Sequence, residues 1–70
     1  MINITILDSD TTRTEEIECA GEAIKRIRKL ANEESKVLYI DGLISNHEII
    51  STTDLLNADE ILMTGKIIGG

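Results

Sequence analysis

The sequence has few of the residues that support very small domains by special chemistry. Its 70 residues contain no proline, tryptophan or phenylalanine, one tyrosine, one cysteine and one histidine. A single cysteine excludes an internal disulfide, and no spacing of cysteine and histidine resembles a zinc site. The domain must therefore rely on regular secondary structure around one core, which at this size supplies roughly 3–5 kcal/mol.

Aromatic and basic side chains are also scarce. Tyr39 is the only aromatic residue, and 7 Lys and Arg residues face 13 Asp and Glu residues, for a net charge of -6. Nucleic-acid binding needs a basic groove and usually aromatic platforms for the bases. The composition therefore predicts no nucleic-acid partner, and its acidity suits solubility or a basic protein partner.

The N-terminal stretch "MINITIL" has no basic start and is too short for a signal-peptide core or a membrane span. We therefore expect a cytoplasmic location and no membrane association. Hydrophobic residues make up 41% of the chain, enough for a core. The length predicts a single domain over residues 1–70.

The first half of the chain predicts a hairpin followed by a helix. Ile2, Ile4 and Ile6 alternate with polar residues, which is typical of a half-buried strand. A weaker alternation in "TEEIECA" places Ile17 and Cys19 on one side of a second strand, so we expect Cys19 to be buried in the core. The next segment then changes to helical spacing, with one apolar face: Ala23, Ile24, Ile27, Leu30 and Ala31.

The second half predicts more strands around a polar connection. "KVLYIDGLI" reads as a strand, an Asp-Gly turn and a short return, and "EILMTGK" as the last strand. Between them, the segment 45–59 is interpreted mostly as connection, with four apolar residues beneath it: Ile49, Ile50, Leu55 and Leu56. A helix between two hairpins covers one face of a common sheet. We therefore predict an α+β fold of the ubiquitin-like β-grasp type, with a mixed sheet of four to five strands packed on one helix and the last strand parallel to the first.

Other polar residues give no sign of a catalytic or metal site. Asp8 and Asp10 flank a turn, and turn chemistry explains them. His47 stands alone in a polar segment and is expected to be exposed to solvent. No metal site is predicted.

The C-terminal stretch "ADEILMTGKIIGG" resembles the end of the small sulfur carriers of thiamin thiazole biosynthesis, the ThiS family. Asp59 matches the family's turn Asp, Ile61 and Met63 match inward strand residues, and Gly69 and Gly70 match the final glycine pair. "IECAGEAIKRI" and "VLYIDGLI" are similar to upstream parts of the family. The sequence departs from the pattern at Ala58, at Ile68 and at Ile40-Asp41.

The resemblance implies a carrier that is not itself an enzyme and holds no cofactor tightly. In this family an ATP-dependent adenylating enzyme of the ThiF/MoeB type converts the terminal carboxylate, here on Gly70, to an acyl-adenylate. Sulfur then replaces AMP, and the thiocarboxylate passes its sulfur to an acceptor enzyme such as thiazole synthase. Ile67, Ile68 and Gly69 would belong to a flexible tail over about residues 65–70, in which glycine allows close approach to a nucleotide.

A docking surface for the activating enzyme is predicted on the sheet. If Val37 and Tyr39 point toward the helix, then Leu38 and Ile40 point away from it, and Leu62 lies beside them when Ile61 and Met63 point inward. An exposed aliphatic patch of this kind is typical of a protein interface. Leu62, Leu38 and Ile40 are therefore predicted to dock the partner.

Two other interpretations remain open. The molybdopterin carriers (MoaD family) and the ubiquitin-like protein modifiers share the expected fold and the Gly-Gly end. A non-catalytic β-grasp interaction module or subunit has no need of that end. The sulfur acceptor is also open, because thiazole, pterin, amino-acid and RNA thiolation use similar carriers.

Overall fold

The computed structural model describes residues 1–65. They form seven elements: β1 (Ile2–Leu7), β2 (Thr12–Ile17), α1 (Ala20–Glu33), β3 (Lys36–Ile40), β4 (Leu43–Ser45), α2 (Thr52–Asn57) and β5 (Ile61–Gly65). The predicted tail residues Ile67, Ile68, Gly69 and Gly70 lie outside the described residues. Gly65, which was expected to begin that tail, instead ends β5 and pairs with Lys36. None of the helices within residues 1–65 is long and apolar enough to cross a membrane.

The five strands form one mixed sheet in the order β2-β1-β5-β3-β4. β1 and β5 run parallel, while the β1–β2, β3–β5 and β3–β4 pairs are antiparallel. This confirms the predicted α+β class, the mixed sheet and the parallel pairing of the first and last strands. The arrangement is compatible with a β-grasp fold, and it places β5 at the centre of the sheet.

The helix α1 covers one face of the sheet, which we call the inner face. Ile2, Ile4 and Ile6 are buried on this face, as their alternation predicts. From α1, Ala23, Ile27 and Leu30 pack into the same core, because their spacing places them on one side of the helix. The core also contains Leu38, Ile50, Leu55, Ile61 and Met63.

The inward register of β3 is opposite to the predicted one. Leu38 is only 1% exposed and pairs with the buried Met63, and Ile40 packs partly buried against the core. The prediction that Leu38 and Ile40 point away from the helix is therefore wrong. Lys36, the first residue of the strand, lies on the same inner face as Leu38 and is buried. Its ammonium donates to the carbonyl of Leu7 at 3.1 Å, so the inward position is satisfied.

The Asp-Gly turn between β3 and β4 forms as predicted. Asp41 and Gly42 have φ angles of 52° and 82°, both positive as a type I′ hairpin turn requires. The Asp41 side chain also accepts from the backbone N–H groups of Asp59 and Glu60, each at 2.8 Å. The turn is thereby joined to the loop that leads into β5.

The segment 45–59, interpreted mostly as connection, contains the short helix α2. Ser51 and Asp54 form a capping box, in which the Ser51 hydroxyl accepts from the Asp54 N–H and the Asp54 carboxylate accepts from the Ser51 N–H. The S-x-x-D spacing in "STTD" carried this signal in the sequence. Residues of its own first turn therefore determine where α2 begins.

The four apolar residues of this segment divide into two pairs. Ile50 and Leu55 are buried in the core, as expected. Ile49 and Leu56 are 78% and 67% exposed, so the prediction that they lie beneath the connection is wrong. The turn of α2 that buries Leu55 directs its neighbour Leu56 away from the core, since residues one apart in a helix do not share a face.

Candidate functional site

The described part of the chain ends with β5. There Gly65 pairs with Lys36 of β3, and Thr64 pairs with Leu7 of β1 and Val37 of β3. The segment Lys66–Gly70, which contains the predicted attachment residue, follows this point in sequence. The side chains around the end of β5 are therefore the described residues closest to the start of the predicted tail.

An ionic cluster occupies this end of the sheet. The Lys36 ammonium lies 3.0 Å from Asp8 Oδ1, and Arg13 Nη1 lies 3.4 Å from Asp8 Oδ2. The hydrogen bond from Lys36, helped by the positive charges of Lys36 and Arg13, lowers the pKa of Asp8 despite the cost of desolvation. The Lys36 side chain is only 7% exposed, so its ammonium depends on Asp8 and the Leu7 carbonyl for compensation.

The same cluster continues toward α1. Arg13 Nε lies 3.9 Å from Glu15 Oε2, and Glu15 accepts two hydrogen bonds from the Arg26 guanidinium at 2.7 Å. The hydrogen bond from Arg26 lowers the pKa of Glu15 and raises that of Arg26. Asp8 is thus part of a compensated network. Among the described residues, no group of three His, Cys, Asp or Glu side chains is placed to hold a metal ion.

The opposite face of the sheet, which we call the outer face, is not covered by any element within residues 1–65. On it, Ile44 pairs with Tyr39, and Tyr39 pairs with Leu62. We call these three residues the outer-face row. Leu62 and Tyr39 are half-buried between neighbouring strands, while Ile44 is 70% exposed. The row forms a continuous apolar strip across β4, β3 and β5.

Only one of the three predicted docking residues lies on this face. Leu62 does, because its neighbours Ile61 and Met63 are buried on the inner face as predicted. Leu38 and Ile40 lie on the inner face and are replaced in the strip by Tyr39 and Ile44. The uninterrupted apolar run "VLYI" gives no alternation from which its register can be read.

Cys19 is exposed, so the expectation that it is buried in the core is wrong. β2 ends at Ile17, and Cys19 is instead the N-cap residue of α1, with its carbonyl accepting from the Ala23 N–H at 3.0 Å. Its side chain makes no capping hydrogen bond. The strand ends two residues before Cys19, so the alternation of β2 does not extend to the cap.

His47 is half-buried, in contrast to the expected solvent exposure. Its carbonyl and that of Glu48 accept hydrogen bonds from the Arg28 guanidinium at 3.0 and 3.2 Å. Its Nδ1 is buried without a hydrogen-bond partner in the described part of the chain. Arg28 therefore ties the segment before α2 to α1, and His47 is part of that packing.

The predicted attachment residue Gly70 and the preceding Gly69, Ile68 and Ile67 lie outside the residues that the structure describes. The described site therefore consists of the end of β5, its ionic cluster and the outer-face row. Comparisons with protein-family models, with curated proteins and with solved structures find no match for the chain.

Proposed function

We propose that this chain is a sulfur carrier that is activated at the carboxylate of Gly70. The proposal is carried by the position of β5, a central strand that ends at Gly65 and is followed in sequence by Lys66, Ile67, Ile68, Gly69 and Gly70. Because β5 pairs with β1 on one side and β3 on the other, it gives the segment that follows it a fixed point of attachment. Five residues span at most about 17 Å when extended, enough to carry a reactive end away from the domain surface.

The chemistry needs no catalytic group from the carrier. The Gly70 carboxylate attacks the α-phosphorus of ATP on a partner adenylating enzyme of the ThiF/MoeB type, and pyrophosphate leaves. Sulfide then attacks the acyl carbon of the adenylate and AMP leaves, giving a thiocarboxylate. Glycine at positions 69 and 70 presents no Cβ, so the backbone is able to enter a narrow nucleotide site.

The outer-face row supplies the docking surface in this proposal. Tyr39 and Leu62 present apolar area in the middle of the sheet, and Ile44 extends it to the edge. Interfaces are typically built on such an apolar centre with a polar rim. The surrounding threonines of the outer face, Thr5, Thr14 and Thr64, supply that rim.

The chain is proposed to act in the cytoplasm and to deliver its sulfur to a synthase, with thiamin thiazole as the expected product. The adenylating enzyme consumes the ATP. These assignments depend on the resemblance of the sequence from Ala58 to Gly70 to the ThiS family.

Intact-protein mass spectrometry tests the proposal. The protein is incubated with ATP, sulfide and the adenylating enzyme encoded nearest to it, and the expected product has the mass change of one oxygen replaced by sulfur. Gly70→Val should abolish the change, whereas Lys66→Ala, a matched change in the same segment, should retain it. The proposal fails if the wild-type protein is never loaded, or if the mature protein carries residues after Gly70 that are not removed.

A further inference from the structure

A groove of ≈ 530 Å³ opens beside the edge strand β4. It lies between that strand, the segment before α2 and α2 itself. Its floor includes Ile50 of the core and the partly buried Ile40, and its rim includes Leu43 and Ile49, which are 73% and 78% exposed. Two of the most exposed large aliphatic side chains in residues 1–65 thus border the same groove, and nothing within those residues covers them.

The strand beside the groove has a free edge. β4 is last in the strand order, and within residues 1–65 its only partner is β3. An edge strand presents N–H and C=O groups that pair readily with another extended chain. A strand added to β4 would alternate its side chains, so every second one would face the groove side of the sheet.

The charge of the groove favours a basic partner. Its lining includes the carboxylates of Asp41 and Asp54, and no Lys, Arg or His is among the described residues that line it. The whole chain carries a net charge of -6. A second copy of the chain would bring the same charge to the same edge, so like-charge repulsion opposes self-pairing there.

We propose that β4 and this groove bind an extended segment of a basic protein partner, which adds as a sixth strand. Aliphatic side chains at alternate positions enter the groove against Leu43 and Ile49, and lysine or arginine side chains lie near Asp41 and Asp54. This site lies at the edge of the sheet. It shares Ile44 with the outer-face row, but Tyr39 and Leu62 do not line it. It does not depend on activation of Gly70, and its test leaves that proposal untouched.

The probe is a seven-residue synthetic peptide in which valine and isoleucine alternate with lysine and threonine. It is titrated into the ¹⁵N-labelled full chain, and amide shifts are followed by NMR. We expect the largest shifts at Leu43–Ser45 and Ile49. Two matched peptides, one with glutamate in place of each lysine and one with a central proline that blocks strand pairing, should bind about tenfold more weakly.

Two variants of the chain locate the site. Ile49→Asp should weaken peptide binding about tenfold, while Leu56→Asp, which changes another exposed aliphatic residue outside this groove, should leave it within about twofold. Both positions are exposed, so thermal unfolding should show both variants folded. The proposal is overturned by equal binding of the glutamate peptide, by shifts confined to Tyr39 and Leu62, by absence of binding at millimolar peptide, or by a dimer of the free chain that Ile49→Asp dissociates.

Discussion

The guanidinium of Arg26 on α1 donates to both carboxylate oxygens of Glu15 on β2, with two N–O distances of 2.7 Å. Within residues 1–65 this is the only salt bridge that joins α1 to the sheet. Both side chains are 29% exposed, which limits screening by water. The pair therefore helps to fix the position of α1 relative to β2 on the inner face of the sheet.

Replacing Glu15 should weaken this attachment. Glu15→Gln removes the charge and one of the two strong acceptors, and we expect a loss of about 1 kcal/mol in the free energy of unfolding at pH 7. Glu16→Gln is the matched control, because Glu16 lies on the outer face and takes part in no salt bridge within the described residues; its effect should stay within about 0.5 kcal/mol. Urea unfolding measures both, and equal effects would contradict a role for the pair.

The same contacts predict an acid-sensitive stability. The folded-state pKa values of Glu15 and Asp8 lie below their ordinary values of 4.5 and 3.8, because of hydrogen bonds from Arg26 and Lys36 respectively. The folded protein therefore binds fewer protons than the unfolded chain, so this stabilisation is complete above about pH 5 and is lost as the pH falls through the lowered values. Urea midpoints from pH 7 to pH 3 should fall less steeply in Glu15→Gln than in the wild type.

The corrected register of β3 is tested by a pair of leucine truncations. Leu38→Ala should cost about 3 kcal/mol because it leaves a cavity among Met63 and the other inner-face residues. Leu62→Ala should cost about 1 kcal/mol, since Leu62 is half-buried on the uncovered face. Denaturant unfolding of both variants checks the order, and a loss for Leu38→Ala no larger than that for Leu62→Ala would contradict the inward position of Leu38.

Asp41 should contribute more to stability than is usual for an exposed residue. Asp41→Ala removes the acceptor of two backbone N–H groups and places alanine at a positive φ, for an expected cost of about 2 kcal/mol. Asp41→Asn keeps an acceptor oxygen and tolerates the left-handed region, so its cost should be below about 1 kcal/mol. Thermal and urea unfolding distinguish the two, and similar losses would show that the side-chain oxygen is not the important feature.

Cys19 offers a stabilising change. Its backbone already has N-cap geometry, with φ -113° and ψ 130°, and Glu22 stands at the third helical position, where a capping box has its glutamate. Cys19→Ser should raise the free energy of unfolding by about 0.5–1 kcal/mol. Cys19→Ala lacks the hydroxyl and should show no such gain. Both variants should still accept sulfur if it is carried on Gly70, and loss of loading in a folded variant would move the chemistry to the thiol.

Leu62 also tests the outer-face row. Leu62→Glu should weaken binding to the adenylating enzyme about tenfold, because it places a charge in the middle of the proposed interface. Leu56→Glu, on an exposed helix position away from the outer face, should bind like the wild type. Calorimetry with the purified enzyme measures both affinities. Equal affinities would remove the outer face from the proposal.

The sequence predicts most of the fold because local pattern and tertiary packing agree there. The alternation of Ile2, Ile4 and Ile6 and the spacing of Ala23, Ile27 and Leu30 each define one apolar side, and the sheet and helix bury these sides against each other. The Asp-Gly pair likewise favours the turn that forms, because both residues tolerate a positive φ angle.

Sequence-based predictions fail where the structure depends on contacts between residues that are far apart in the chain. Lys36 lies on the inner face, where its ammonium is compensated by Asp8 and the Leu7 carbonyl, almost thirty positions earlier in the chain. The sequence near β3 carries no sign of this contact, and the observed register moves the docking surface from Leu38 and Ile40 to Tyr39 and Ile44. The wrong prediction for Cys19 has a different cause. A helix N-cap is usually recognised by a Ser, Thr, Asp or Asn residue, and here the N-cap residue is cysteine.

The central position of β5 has a consequence for biosynthesis. β1 and β3 have no pairing with each other until the strand between them is present, and that strand is made of residues 61–65. A nascent chain still lacking them holds two separate hairpins and a helix whose apolar side has no complete sheet to cover. Folding is therefore delayed until translation has passed residue 65 and the ribosome has released that stretch, and a chain truncated before residue 61 should be a substrate for proteases rather than a smaller version of the domain.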